Sequence, residues 1–114
     1  MNRKIASLGL AAGFVFAGAL LAEEWKNVSL VDTMCSEKDA VKADPDKHPA
    51  KCAVACAKSG YGIMADGKYL KFDEKGNEQI ASELKSTKKT DHLRVTVDGE
   101  RKGDTIAVKS VKLD

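Results

Sequence analysis

Aromatic side chains are scarce in this chain of 114 residues: one Trp, two Tyr and three Phe, with only two His and two Pro beside them. So few rings leave little on which to stack unpaired bases, which argues against single-stranded nucleic acid as a partner. Cysteine pairs spaced Cys-x-x-Cys are missing. Their absence removes the thioredoxin-type redox motif and, with no His following, covalent haem attachment. No glycine-rich phosphate loop occurs, because Gly60 and Gly62 read as turn residues at a helix end. Ser29, Ser59 and Ser82 lack the context of a nucleophile elbow. The acidic pairs Asp44/Asp46 and Asp73/Glu74 fall in loops and read as solvated charge, and His92 precedes a strand on its solvent face. The expectation is a protein that is not an enzyme.

The chain does have the three parts of an export signal at its start. Arg3 and Lys4 form a short positive region, 5–22 is apolar or small without a charge, and small residues offer cleavage after Ala19 or Ala22. Cleavage after Ala22 is the better match, since Glu23 and Glu24 then begin the mature chain. The alternative is an uncleaved anchor, but eighteen residues rich in Ala and Gly sit near the lower limit for a span. Loss of 1–22 removes Arg3 and Lys4 and leaves 17 basic against 17 acidic residues. The expected product is one neutral domain, 23–114, periplasmic or secreted, with no stable membrane span. Zero net charge gives it no electrostatic hold on nucleic acid.

The pattern of the mature part predicts five strands and short helices. A first strand spans 25–34, with Val28 and Leu30 on one face and Val31 on the other. A polar stretch, 35–49, reads as irregular, followed by an Ala-rich helix over 50–59 with Pro49 at its first position, His48 as cap and Gly60 as terminator. Segments 61–65 and 68–72 flank Asp66-Gly67, a two-residue hairpin signal. Asn77 reads as the cap of a helix whose stripe is Ile80, Ala81 and Leu84. Leu93, Val95 and Val97 then alternate against Arg94 and Thr96 in the clearest half-buried strand. In the last strand Val111 and Leu113 share a face with Ile106 and Val108 only if a bulge lies near Lys109-Ser110. The order predicts a mainly β fold: a small five-stranded barrel of the OB type, with a Cys-bearing helix inserted after strand 1. An open α+β sheet with the same elements is the competitor.

The segments 25–35, Lys51-Cys52-Ala53-Val54-Ala55-Cys56, 60–72 around Asp66-Gly67, and 93–111 with Gly103-Asp104-Thr105-Ile106 resemble a group of small exported bacterial domains. Their shared marks are a Trp-led first strand ending Asp-x-x-Cys, a Cys-x-x-x-Cys helix and a Gly-Asp-x-Ile hairpin. Many members carry a Gly and then a His just after the first Cys, where this chain has Ser36 and Lys38. The resemblance implies export and an OB-like fold, and it implies no activity.

Three cysteines, Cys35, Cys52 and Cys56, fall within 22 residues. In an oxidising compartment one disulfide leaves one thiol over. A bond from Cys35 to a cysteine of the inserted helix is expected, to Cys56 before Cys52, closing a loop of about 20 residues and contributing about 3 kcal/mol. The alternative is a zinc or copper site made of Cys35, His48, Cys52 and Cys56, whose last three members are spaced by four on one helical stripe. A ligand surface on strands 2 and 3 and the neighbouring loops would use Tyr61, Tyr69, Lys71, Arg101 and Lys102. The expected function is a non-enzymatic binding module of the cell envelope for a small molecule or an envelope protein. A metal-binding or thiol-reactive protein is the second reading.

Overall fold

The computed structural model describes residues 22–114; the expected export signal lies, but for Ala22, outside the described residues. Strand β1 is Ala22–Asp32. The connection 33–60 carries helices α1 (Asp39–Ala43) and α2 (Ala50–Ala55), with single 3-10 turns at Cys35–Glu37, Pro45–Lys47 and Ala57–Ser59. Strands β2 (Tyr61–Ala65) and β3 (Lys68–Phe72) precede helix α3 (Glu74–Ser86), and β4 (Arg94–Lys102) and β5 (Thr105–Leu113) end the chain. The strands close in the order β1-β2-β3-β5-β4. β1 pairs antiparallel with both β2 and β4, and β3 meets β5 in parallel at Lys71–Thr105 and Phe72–Ile106. This is the five-stranded barrel of the OB type, with a helix between the third and fourth strands.

Alternation decides which side chains fill the barrel. Leu30, Ile63, Leu70, Phe72, Leu93, Val95, Val97, Ile106 and Val108 are buried in one cluster, with Val28 packed against it. Arg94 and Thr96 fall on the outer face, as the pattern of β4 requires. Asp98 pairs with Ser110 but Gly99 pairs with Val108, so Lys109 is an extra residue in β5. That bulge restores Val111 to the core face, where it is buried. The β2–β3 hairpin turns on Asp66 and Gly67, both at positive φ (52° and 76°), as a two-residue turn of the primed type demands.

Helix α3 closes the place where the barrel is thinnest. β3 and β5 share only two register pairs, so the N–H groups further along β5 need other acceptors. Asp73 Oδ1 accepts from Val108 N (3.2 Å), Gln79 Oε1 from Val111 N (3.1 Å) and Glu83 Oε1 from Leu113 N (2.9 Å). Asp73, not Asn77, caps the helix, since its Oδ1 also accepts from Gly76 N at 3.1 Å. Asn77 lies inside α3, and its Oδ1 accepts from Tyr61 N at 2.8 Å. Gly76 is fixed by close approach: a Cβ there would come within 2.5 Å of Val108 Cγ2. Ile80 and Leu84 are buried, and Ala81 packs beside them.

The inserted segment is more ordered than its composition suggests. The stretch 35–49 winds through α1 and two 3-10 turns instead of running irregularly. Helix α2 stops at Ala55, with Pro49, in extended conformation, in the capping position and His48 in no capping role. Gly60 adopts φ 85°, ψ 178°, which is not the left-handed helical terminator. Ala50 and Ala53 enter the main core, and Tyr61 Oη donates to Ala53 O at 2.8 Å.

Candidate functional site

All four buried polar residues among those described, Ser29, Asp32, Ser36 and His48, lie at the end of β1 or in the inserted segment. Buried polar groups must find partners: Ser29 Oγ donates to Asp46 Oδ1, Ser36 Oγ to Thr33 O, and Asp32 pairs with His48. Asp32 is fully buried, and its Oδ1 accepts from His48 Nε2 at 2.6 Å. Its Oδ2 accepts from Cys35 N at 3.0 Å. The carboxylate thus ties the turn after β1 to the segment leading into α2.

A second small core lies outside the barrel, over β1 and β3. Val31, Cys35 and Val41 are buried there, with Cys56 and Tyr69 packed against them. Tyr69 is possible only because β2 has no side chain at Gly62. A Cβ on Gly62 would meet the Tyr69 ring at 2.7 Å. The Tyr69 hydroxyl donates to Val31 O and lies 3.0 Å from Thr33 Oγ1. Burial pushes its pKa well above that of an ordinary tyrosine, so the hydroxyl keeps its proton.

Within this core the Cys35 and Cys56 Sγ atoms and an Asp32 carboxylate oxygen all lie within 4.8 Å of one another. All three cysteines are free thiols in the structure, so the expected bond is not formed, although Cys35 and Cys56 are neighbours. The Cys35 thiol is pushed up to about 11, first by burial and then by the adjacent Asp32 carboxylate. A catalytic cysteine needs the opposite shift.

The four-residue metal set expected from spacing does not assemble. Cys52 is exposed, and His48 Nε2 is held by Asp32. Among the described residues, the group of His, Cys, Asp or Glu close enough to share an ion is Asp32, Cys35 and Cys56. The helical stripe fails because α2 ends before Cys56, which stands at φ −100°, ψ 23°. Met34, outside any donor set read from spacing, brings its Sδ to 3.9 Å from Cys56 Sγ and is 63% exposed.

The ligand surface read from the sequence divides in two. Tyr61 belongs to the barrel core at 1% exposure, so it offers a ligand nothing. Tyr69 faces out of the barrel, but the inserted segment covers it and its hydroxyl is taken. Lys71 and Lys102 are both exposed and both pair in register with Thr105, so they stand at one level across three strands. Arg101 is next in β4, and its Nε donates to Gly103 O at 2.9 Å.

Asp46, read as solvated charge, is a hub. Arg94 Nη2 and Nε donate to its two carboxylate oxygens at 2.6 and 3.1 Å, and Ser29 Oγ donates at 2.9 Å. Arg94 Nη1 also reaches Asn27 O in the irregular part of β1. The guanidinium holds the Asp46 carboxyl below the usual range. The N–H groups of Ala50 and His92 complete the attachment by donating to Thr90 O and Asp46 O.

No helix among the described residues is long and apolar enough to cross a membrane. An open groove of about 820 Å³ runs along β1, β4 and β5, with Glu23, Glu24, Asp98, Glu100 and Lys109 in its lining. No buried polar side chain lines it. No family model, curated protein or solved structure matches the chain.

Proposed function

We propose that this is an exported, non-enzymatic binding module of the cell envelope: an OB-type barrel whose inserted segment is stapled by a Cys35–Cys56 disulfide. The observation that carries the reading is the proximity of these two thiols, within 4.8 Å, in a small core of their own. One belongs to the turn after β1 and the other follows α2, so a bond between them locks the insertion to the barrel. Burial and the Asp32 carboxylate both disfavour a Cys35 thiolate. A disulfide carries no charge and escapes that penalty. Cys52, exposed one turn earlier, is left as the odd thiol.

The same facts speak against catalysis at this site, because an acidic neighbour and burial raise a thiol instead of activating it. A ligand surface is supported at Lys71 and Lys102, whose cations suit an anionic group on a small molecule or an envelope protein, while Arg101 takes the opposite parity of β4. Thiol titration with elemental analysis of protein recovered from the periplasm tests the reading. One titratable thiol per chain, lost on Cys52→Ser, is the expected result. Three titratable thiols in exported protein would overturn the staple.

A further inference from the structure

Three sulfur atoms gather at the seam between the inserted segment and the barrel, two in the small outer core and one at its solvent edge. Cys35 Sγ and Cys56 Sγ lie within 4.8 Å of each other, and Met34 Sδ lies 3.9 Å from Cys56 Sγ. Packing does not account for Met34, which keeps most of its surface in solvent. The backbone that presents these atoms is clamped. Met34 N donates to Ser59 Oγ at 3.1 Å, Ser59 Oγ donates to Cys56 O at 2.9 Å, and Thr33 N donates to Gly60 O at 2.9 Å. The turn bearing Met34 and Cys35 is therefore fixed against the turn bearing Cys56 before any ligand arrives.

Asp32 lies beside both thiols, but its oxygens already accept from His48 Nε2 and Cys35 N. It supplies negative charge next to the site while the sulfurs remain as the free donors. Two thiolates and a thioether are a soft, three-sulfur set, which selects copper(I). Zinc asks for a tetrahedral set of nitrogen, oxygen or thiolate sulfur, in which a thioether has no place, whereas Met34 supplies the soft third donor that copper(I) takes.

We infer that the dithiol form of this protein binds one copper(I) ion through Cys35 Sγ, Cys56 Sγ and Met34 Sδ. The inference rests on Cys35 and Cys56 acting as a pair. Binding releases the two thiol protons to solvent and moves no electrons. The disulfide form offers no thiolate, so copper and the staple exclude each other, and a thiol or phosphine reductant switches the chain from one to the other.

The test is a copper(I) titration of the phosphine-reduced chain without oxygen, in competition with bicinchoninate, followed by X-ray absorption at the copper edge. The expected result is one copper(I) per chain with sulfur neighbours only. Met34→Leu should weaken binding by about tenfold or more through loss of the thioether, and Cys52→Ser should change nothing. Because Met34 is exposed, its variant keeps the fold and carries the test even if a Cys56→Ser chain does not fold. Failure of the reduced chain to hold copper(I), equal affinity in the Met34 variant, or nitrogen or oxygen neighbours would overturn the inference. A thiol count on the same protein after air oxidation separates the two ideas. One remaining thiol without copper binding leaves the staple standing and removes the metal site, whereas three remaining thiols remove the pairing itself.

Discussion

Asp32 shows how one buried carboxylate can organise a site built from distant parts of the chain. It joins Cys35, three residues on, to His48, sixteen residues on. Asp32→Ala leaves the Cys35 N–H and the His48 ring buried without partners, and should cost about 3 kcal/mol in urea unfolding. Asp46 is the half-buried counterpart, and its contribution depends on pH. Arg94 depresses its carboxyl on folding. The resulting stabilisation is therefore complete above the unfolded value of about 4 and fades as the pH falls through the lower folded value. Asp46→Asn should thus be less stable than the parent at pH 7, with the gap closing below about pH 4 in parallel unfolding series. Neither residue was legible as structural. An aspartate announces its burial or its partner only through contacts that the fold makes later, and His48 looked like a helix cap because it precedes Pro49.

At the scale of elements, strands were readable where a single face is buried and turn chemistry is explicit. The hairpin of β2 and β3 lies where Asp66-Gly67 puts it, and the parity of Val111 pointed to the bulge at Lys109. Helix α3 starts at Glu74, one turn before the start that a cap at Asn77 implies. Gly76, in its first turn, is required by close contact with Val108. Gly76→Ala should therefore destabilise by about 1–3 kcal/mol in thermal or urea unfolding through overpacking. That is opposite in sign to the gain of about 1 kcal/mol expected from helix propensity alone. The insertion was the least legible element. The charge and prolines of 35–49 look irregular, yet α1 forms because Val41 enters the small outer core, while α2, expected over 50–59, forms at Ala50–Ala55 with Ala50 and Ala53 in the barrel core. Tyr61 and Tyr69 misled for a related reason. Tyr69 lies on the outer face of β3, opposite Leu70 and Phe72, but the insertion covers it, and Tyr61 fills the core beside Ile63.

For the whole molecule, the inserted segment is tied to the barrel by Ala50 and Ala53 in the main core, by a few polar bonds and by one small outer core. Function is expected at this seam, where the buried polar groups and two of the three thiols gather. Peptide mapping without reduction, on protein exported by a bacterial host, tests that claim most directly. A Cys35–Cys56 crosslink with Cys52 unmodified is the expected result. A Cys35–Cys52 crosslink would contradict it, because it would require the exposed thiol of α2 to turn inward and the neighbouring Cys35 and Cys56 to be left apart.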